Sequence, residues 1–178
     1  MYTSPLELMK QYGIPRLAKY ASPIDAITIK IITPALMRAV ITGGDVSGFT
    51  SEQQDLATRS LTKIEDSITA AESTVNAYLV RRYQVPLSSQ LLTANAKLLR
   101  RHTNAIARYM LAAHKMNPAI ELAYNDSISW LDDITNGSKG GLSLGDTANS
   151  QSPIPGVTPP VSIKHFQSKV AWPRYRLA

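Results

Sequence analysis

The run from Thr50-Ser51-Glu52-Gln53 to Tyr78-Leu79-Val80-Arg81-Arg82-Tyr83-Gln84-Val85-Pro86-Leu87 decides the fold class. Its first four residues form a capping-box pattern, in which hydroxyl and amide side chains satisfy backbone donors that a helix start leaves open. Apolar residues follow at Ala57, Leu61, Ile64, Ile68, Ala71, Val75 and Tyr78, in alternating steps of four and three. That rhythm lays one stripe along a helix about 45 Å long at 1.5 Å per residue. Pro86 forbids continuation, so the chain must turn. A second amphipathic helix then runs through Leu98-Leu99-Arg100-Arg101-His102-Thr103-Asn104-Ala105-Ile106-Ala107-Arg108-Tyr109-Met110-Leu111. Two long helices, antiparallel across an elbow, call for a bundle rather than a free coiled coil, because the neighbouring helices carry matching apolar faces and the stripe contains small alanines.

Shorter helices flank this pair. Ser4-Pro5-Leu6-Glu7 is a complete start signal, with an N-cap serine, a first-turn proline and an acid three residues after the cap; the helix stops at Gly13. Ser22-Pro23-Ile24-Asp25 repeats the signal, and Thr33-Pro34 opens a helix to about Ile41. Ile27 to Ile32 alternates enough to be read as a strand, and both assignments stay open there. Gly43 to Gly48 is a loop. Asn117-Pro118 begins a further principal helix with apolar positions Ile120, Tyr124, Leu131 and Ile134, which Asn136-Gly137 ends. The expectation is an all-α domain of four to five helices.

Composition then changes. Residues 138–160 are dominated by Gly, Ser, Pro, Asn and Thr, the signature of a flexible or extended linker. Beyond it, residues 161–178 alternate apolar with polar side chains and carry Ile163, Phe166, Val170, Trp172, Tyr175 and Leu177 as hydrophobic anchors. So short an arm cannot bury those groups on itself. It docks on another chain, as an added strand for example, or it is a disordered tail or one folded back over its own bundle; the long linker favours docking. The chain thus divides into a helical domain (1–137), a linker (138–160) and a docking arm (161–178).

The 19 Lys and Arg against 13 Asp and Glu give a net charge of +6, unevenly placed. Ser73 to Ile120 holds seven bases and no acid, Glu121 to Asp133 four acids and no base, and after Asp146 only bases occur. Blocks of this kind suggest complementary surfaces, within the molecule or between copies. Lys97, Arg101, Asn104 and Arg108 share one helical face. Contact with DNA phosphates is one reading of it; pairing with the acidic helix that begins at Pro118 is the other, and the antiparallel neighbour makes it the simpler.

Catalytic signals are thin, and no enzyme, cofactor or metal is expected. Cysteine is absent, which excludes disulfides and thiolate metal sites. Asp132 and Asp133 are adjacent on a helix and point about 100° apart, too divergent for a carboxylate pair. The histidines lack ligand spacing, and His102 lies on the Leu98-His102-Ala105-Tyr109 stripe, where a hydrogen-bonded interior or boundary residue is expected. Gly43 to Gly48 lacks the Lys-Ser/Thr of a phosphate loop. Ser60-Leu61-Thr62-Lys63 matches a Ser-x-x-Lys pattern, but in mid-helix without partners. The apolar run Ile24 to Ile41 is broken by Asp25, Lys30, Pro34 and Arg38, too interrupted to span a bilayer, so a soluble protein is expected.

Four ordered segments together carry a resemblance. They are Met1-Tyr2-Thr3-Ser4-Pro5-Leu6-Glu7-Leu8; the elbow pattern Y-L-x-x-R-Y-x-x-P-L; the A-I-A-R-Y-x-L ending at Leu111; and the W-L-x-x-I-x-x-G pattern from Trp130 to Gly137. Over residues 1–13 and about 50–145 the chain resembles the head–tail connector (adaptor) proteins of Mu-like tailed phages. The resemblance implies a structural virion protein: a subunit of a ring, about twelve-fold, beneath the portal protein. That ring would join the portal to a downstream neck, stopper or tail protein and leave a channel for passing DNA. It implies assembly in the host cytoplasm and residence at the virion neck. The alternative is a small DNA-binding packaging or regulatory protein using Lys97, Arg101 and Arg108.

Overall fold

The structure, a computed structural model, describes residues 1–22, 32–112, 117–137 and 141–142. Six helices are present among them: α1 (Pro5–Tyr12), α2 (Ile14–Ala21), α3 (Pro34–Thr42), α4 (Ser51–Leu79), α5 (Ser89–Ala112) and α6 (Pro118–Asn136). The all-α bundle expected from the sequence is the one observed. Most of Ile27–Ile32, the linker 138–160 except Gly141 and Leu142, and the arm 161–178 lie outside the described residues.

Local chemistry sets most of the boundaries. The Ser4 hydroxyl accepts from the Glu7 amide, Thr33 from Leu36 and Asn117 from Ile120, each followed by a proline in the first turn. At α4 both arms of the capping box form: Thr50 Oγ1 accepts from Gln53 N at 3.3 Å, and Thr50 N donates to Gln53 Oε1 at 3.0 Å. Gly137, at φ +79°, ends α6 in the left-handed region that costs a β-carbon residue strain.

Two boundaries differ from expectation. Gly13 ends α1 as expected, but at φ +80° it also opens α2, an unexpected additional helix with Pro15 in its first turn. The spacing of Ile14, Leu17, Ala18 and Ala21 buries one side of α2. Helix α5 begins at Ser89, well before the Leu98 quoted for it, because the Ser88 hydroxyl accepts from the Leu91 amide directly after the proline elbow.

The core lies along α4. Of its seven stripe residues, Ala57, Ile64, Ile68, Ala71 and Val75 are buried, while Leu61 and Tyr78 sit half-buried at the margins. Leu79 takes the central place at the end of the stripe. Helix α5 packs antiparallel on this face through Leu99, Ile106 and Leu111. Full burial of each large aliphatic contributes about 1.5–3 kcal/mol, so α4–α5 packing dominates the stability. Helix α6 then lies antiparallel to α5, and ring stacking fixes its register: His102 on Trp130 (centroids 4.1 Å apart) and Tyr109 on Tyr124 (4.0 Å).

The N-terminal segment is tied over the opposite flank of α5. The Tyr2 amide donates to Glu72 Oε1, and the Tyr2 hydroxyl to Asn76 Oδ1 at 2.5 Å. Thr3 donates to Asn104 Oδ1 at 2.5 Å, and Asn104 Nδ2 donates to Gln11 Oε1 at 2.6 Å. Glu7 receives Arg100 at 2.9 Å and Lys10 at 3.0 Å; its carboxyl is held below the usual range by the Lys10 hydrogen bond first and by Arg100 besides.

Candidate functional site

Two of the four resemblance motifs meet in space. The elbow after α4 places Arg82 and Tyr83 against the end of α6. Arg82 Nη1 donates to the Ile134 carbonyl at 2.9 Å, one of the carbonyls that the last turn leaves open, and its charge complements the negative end of the helix. The Tyr83 hydroxyl accepts from the Leu142 amide at 2.7 Å, and Leu142 is buried with the core. Arg81, next to them, lies 3.5 Å from Asp132 and stacks its guanidinium 4.7 Å from the centre of the Tyr78 ring. Both members of that ion pair are about half exposed, so its contribution is small.

Close approach here demands glycine. A β-carbon on Gly141, whose φ is +84°, would lie 2.5 Å from the Tyr83 hydroxyl; one on Gly137 would lie 3.2 Å from Arg82 Nη1. The elbow, the end of α6 and the pair Gly141–Leu142 therefore form one latch. Gly141→Ala is expected to lower stability by about 1–2 kcal/mol through its left-handed backbone, and to speed hydrogen exchange at the Leu142 amide. Unchanged exchange at that amide would contradict the latch.

The predicted basic face divides. Lys97 and Arg101 are exposed on α5, but Asn104 is wholly buried beneath α1, and Arg108 is half-buried with its guanidinium 4.6 Å from the centre of the Tyr12 ring. Arg108 thus faces α1 and not the acidic helix α6. On α6, Asp132 pairs instead with Arg81 of the elbow. Spacing along α5 gave the angles correctly, but the angles carry no information about what lies on top of them.

His102 is interior, as its stripe position predicts. Its Nδ1 lies 3.1 Å from Ser127 Oγ, whose own proton goes to the Ala123 carbonyl at 2.8 Å, so the imidazole proton sits on Nδ1. Burial, with Arg101 nearby, lowers its pKa from 6.5 to about 4, against the opposing pull of Asp126. Ser60 is fully buried, and Lys63 donates to the Tyr20 carbonyl at 3.2 Å, so the Ser-x-x-Lys residues serve packing. Among the described residues no group of three His, Asp or Glu is placed to hold a metal, and no helix is long and apolar enough to cross a membrane. The docking-arm residues Ile163, Phe166, Val170, Trp172, Tyr175 and Leu177 lie outside the described residues.

Sequence reading missed the contact between Arg82, Tyr83 and the end of α6, although it singled out both motifs; their shared place in an ordered pattern was the available signal. It also missed the Thr3–Asn104–Gln11 network, for which the sequence offers none.

Neither the curated proteins nor the solved structures contain a match to this chain. A family profile described as bacteriophage Mu, Gp36 does match, over residues 32–158, a span that takes in α3 to α6, the elbow and the latch. With well over half of its length matched, the chain is a phage protein and belongs to the bacteriophage Mu Gp36 family.

Proposed function

We propose that this protein is a structural subunit of the phage particle, an adaptor whose ring joins the portal protein to the downstream neck, stopper or tail protein around the DNA channel. Membership of a phage family supports a part in building the particle, and the four connector-like motifs support the adaptor role within it. The observation that carries the reading is the latch. The motif residues Arg82 and Tyr83 are used to fix the end of α6 and to seat Leu142, a structural task rather than a chemical one. An adaptor needs a rigid body and a placed connection to its partner.

The DNA-binding alternative draws less support. Of its residues only Lys97 and Arg101 stand exposed, since Arg108 is engaged by Tyr12. Neutralising two phosphates gives a salt dependence of only about −1.8 in log–log slope, weak for a protein whose task is to hold duplex DNA.

Cryo-electron microscopy of the particle neck tests the reading. The expected result is a ring of this chain between portal and downstream protein, enclosing the DNA path. Particles in which the chain is absent from the neck would overturn it.

A further inference from the structure

The long helices α4 and α5 present charged faces of opposite sign on opposite flanks of the bundle. On α4, Asp55, Glu65 and Asp66 are exposed, and Arg59 is the one exposed base of that helix. On α5, Lys97 and Arg101 are exposed, and the whole run from Ser73 to Ile120 contains no acid to neutralise them. At 100° per residue, Asp55 and Asp66 lie roughly 160–180° from the buried Ala57–Ile64–Ala71 side of α4, and on α5 Lys97 lies about 180° and Arg101 about 140° from Ile106. Because the two helices pack core face to core face, these outer faces point away from each other. They cannot neutralise one another within one molecule.

We propose that the acidic face of α4 receives the basic face of α5 from a second copy of this chain. The inference rests on the ring reading above and names the surfaces that would close such a ring. The charge pattern selects the geometry. A two-fold dimer would set each face against its own like; matching acid to base instead requires a head-to-tail contact, which leaves one face of each sign free for the next copy. Repetition around an axis closes a ring. The partners of small side chain on the α4 face, among them Thr62 and Ala70, allow a neighbouring helix to approach. Individually weak, such exposed pairs fix orientation and register more than they hold, and the contact accumulates strength only when several copies are held together.

Disulfide trapping tests this on the full chain, which has no cysteine of its own. Thr62→Cys on the acidic face and Ala94→Cys on the basic face are both exposed and leave every charge in place. In an equimolar mixture oxidised at low salt and high protein concentration, the mixed disulfide is expected to exceed either same-site disulfide by about tenfold. It should fall toward the statistical twofold in 1 M salt, where the screening length is about 3 Å. Lys97→Glu with Arg101→Glu should abolish the preference, and adding Asp55→Lys, Glu65→Lys and Asp66→Lys to the same chain should restore it. A statistical mixture at low salt, no trapping at all, or a salt-insensitive preference would overturn the proposal. So would duplex DNA binding that depends on Lys97 and Arg101 while reversal of the acids leaves trapping unchanged, the outcome expected of a nucleic-acid surface. Rings on particles without trapping would refute these faces alone; trapping without rings on particles would refute the adaptor reading alone.

Discussion

Acidification from pH 6.5 to 4 is expected to remove about 3 kcal/mol of stability from this bundle through His102 alone, and His102→Phe is expected to cancel that loss. The imidazole is 8% exposed, stacked on Trp130, and seated on Ser127 as the neutral tautomer. Its pKa falls from 6.5 to about 4, first through burial and then through the nearby Arg101. Above pH 6.5 both folded and unfolded chains hold it neutral, and its contribution is complete. Between pH 6.5 and about 4 the unfolded chain takes up a proton that the folded chain refuses. Stability therefore declines steadily as pH falls through that window. Phenylalanine keeps a flat ring against Trp130 and cannot titrate, while Ser127 retains its bond to the Ala123 carbonyl. Urea unfolding at several pH values provides the measurement. Carboxylates such as Glu7, whose pKa is lowered by Lys10 and Arg100, add their own acid sensitivity in both chains. The decisive quantity is the difference between the two slopes. Parallel slopes would mean that His102 is protonated in the folded bundle without cost.

Helix starts were legible because capping is local. Ser4, Thr33, Thr50 and Asn117 each announce themselves within four residues, and Gly137 announces a stop. The α4 stripe was legible because a long helix buries one face consistently. What failed was whatever depends on a distant partner. Gly13 was read rightly as the end of α1, but the helix after it was missed; Leu17 and Tyr20 find the core, and their burial supports α2. Asn104 and Arg108 were read as surface because they share a face with Lys97 and Arg101. No periodicity could disclose that α1 and the residues before it cover that half of the face, since the covering residues Thr3 and Gln11 lie 101 and 93 positions from Asn104, and Tyr12 is as distant from Arg108. The latch shows the same division. Gly137 and Arg82 were visible one by one, while their meeting, with Gly141, depends on α6 running back to the elbow.

Deletion of residues 161–178 is expected to leave helical circular dichroism intact and to reduce attachment of downstream components to DNA-filled heads by more than about 100-fold. The first half follows from the fold: all six described helices lie between Pro5 and Asn136, and Leu142 is held by Tyr83 of the elbow. The second half follows from the chemistry of the arm under the adaptor reading. Ile163, Phe166, Val170, Trp172, Tyr175 and Leu177 are spaced among polar residues, and Lys164, Lys169, Arg174 and Arg176 stand with them, without an acid after Asp146. Docked side chains of this kind contribute about 1.5–3 kcal/mol each, and each 1.4 kcal/mol is tenfold in affinity, so loss of even two anchors exceeds the stated reduction. Trp172→Ala isolates one of them. An aromatic anchor at the centre of an interface costs about 2 kcal/mol or more when truncated, which corresponds to roughly thirtyfold weaker attachment. A graded series, from wild type through Trp172→Ala to the deletion, is what a docking arm requires. An arm folded back on its own bundle predicts the reverse: attachment would survive deletion, and thermal stability would fall as the covered helix faces became exposed. The two measurements together separate an anchor from a cover.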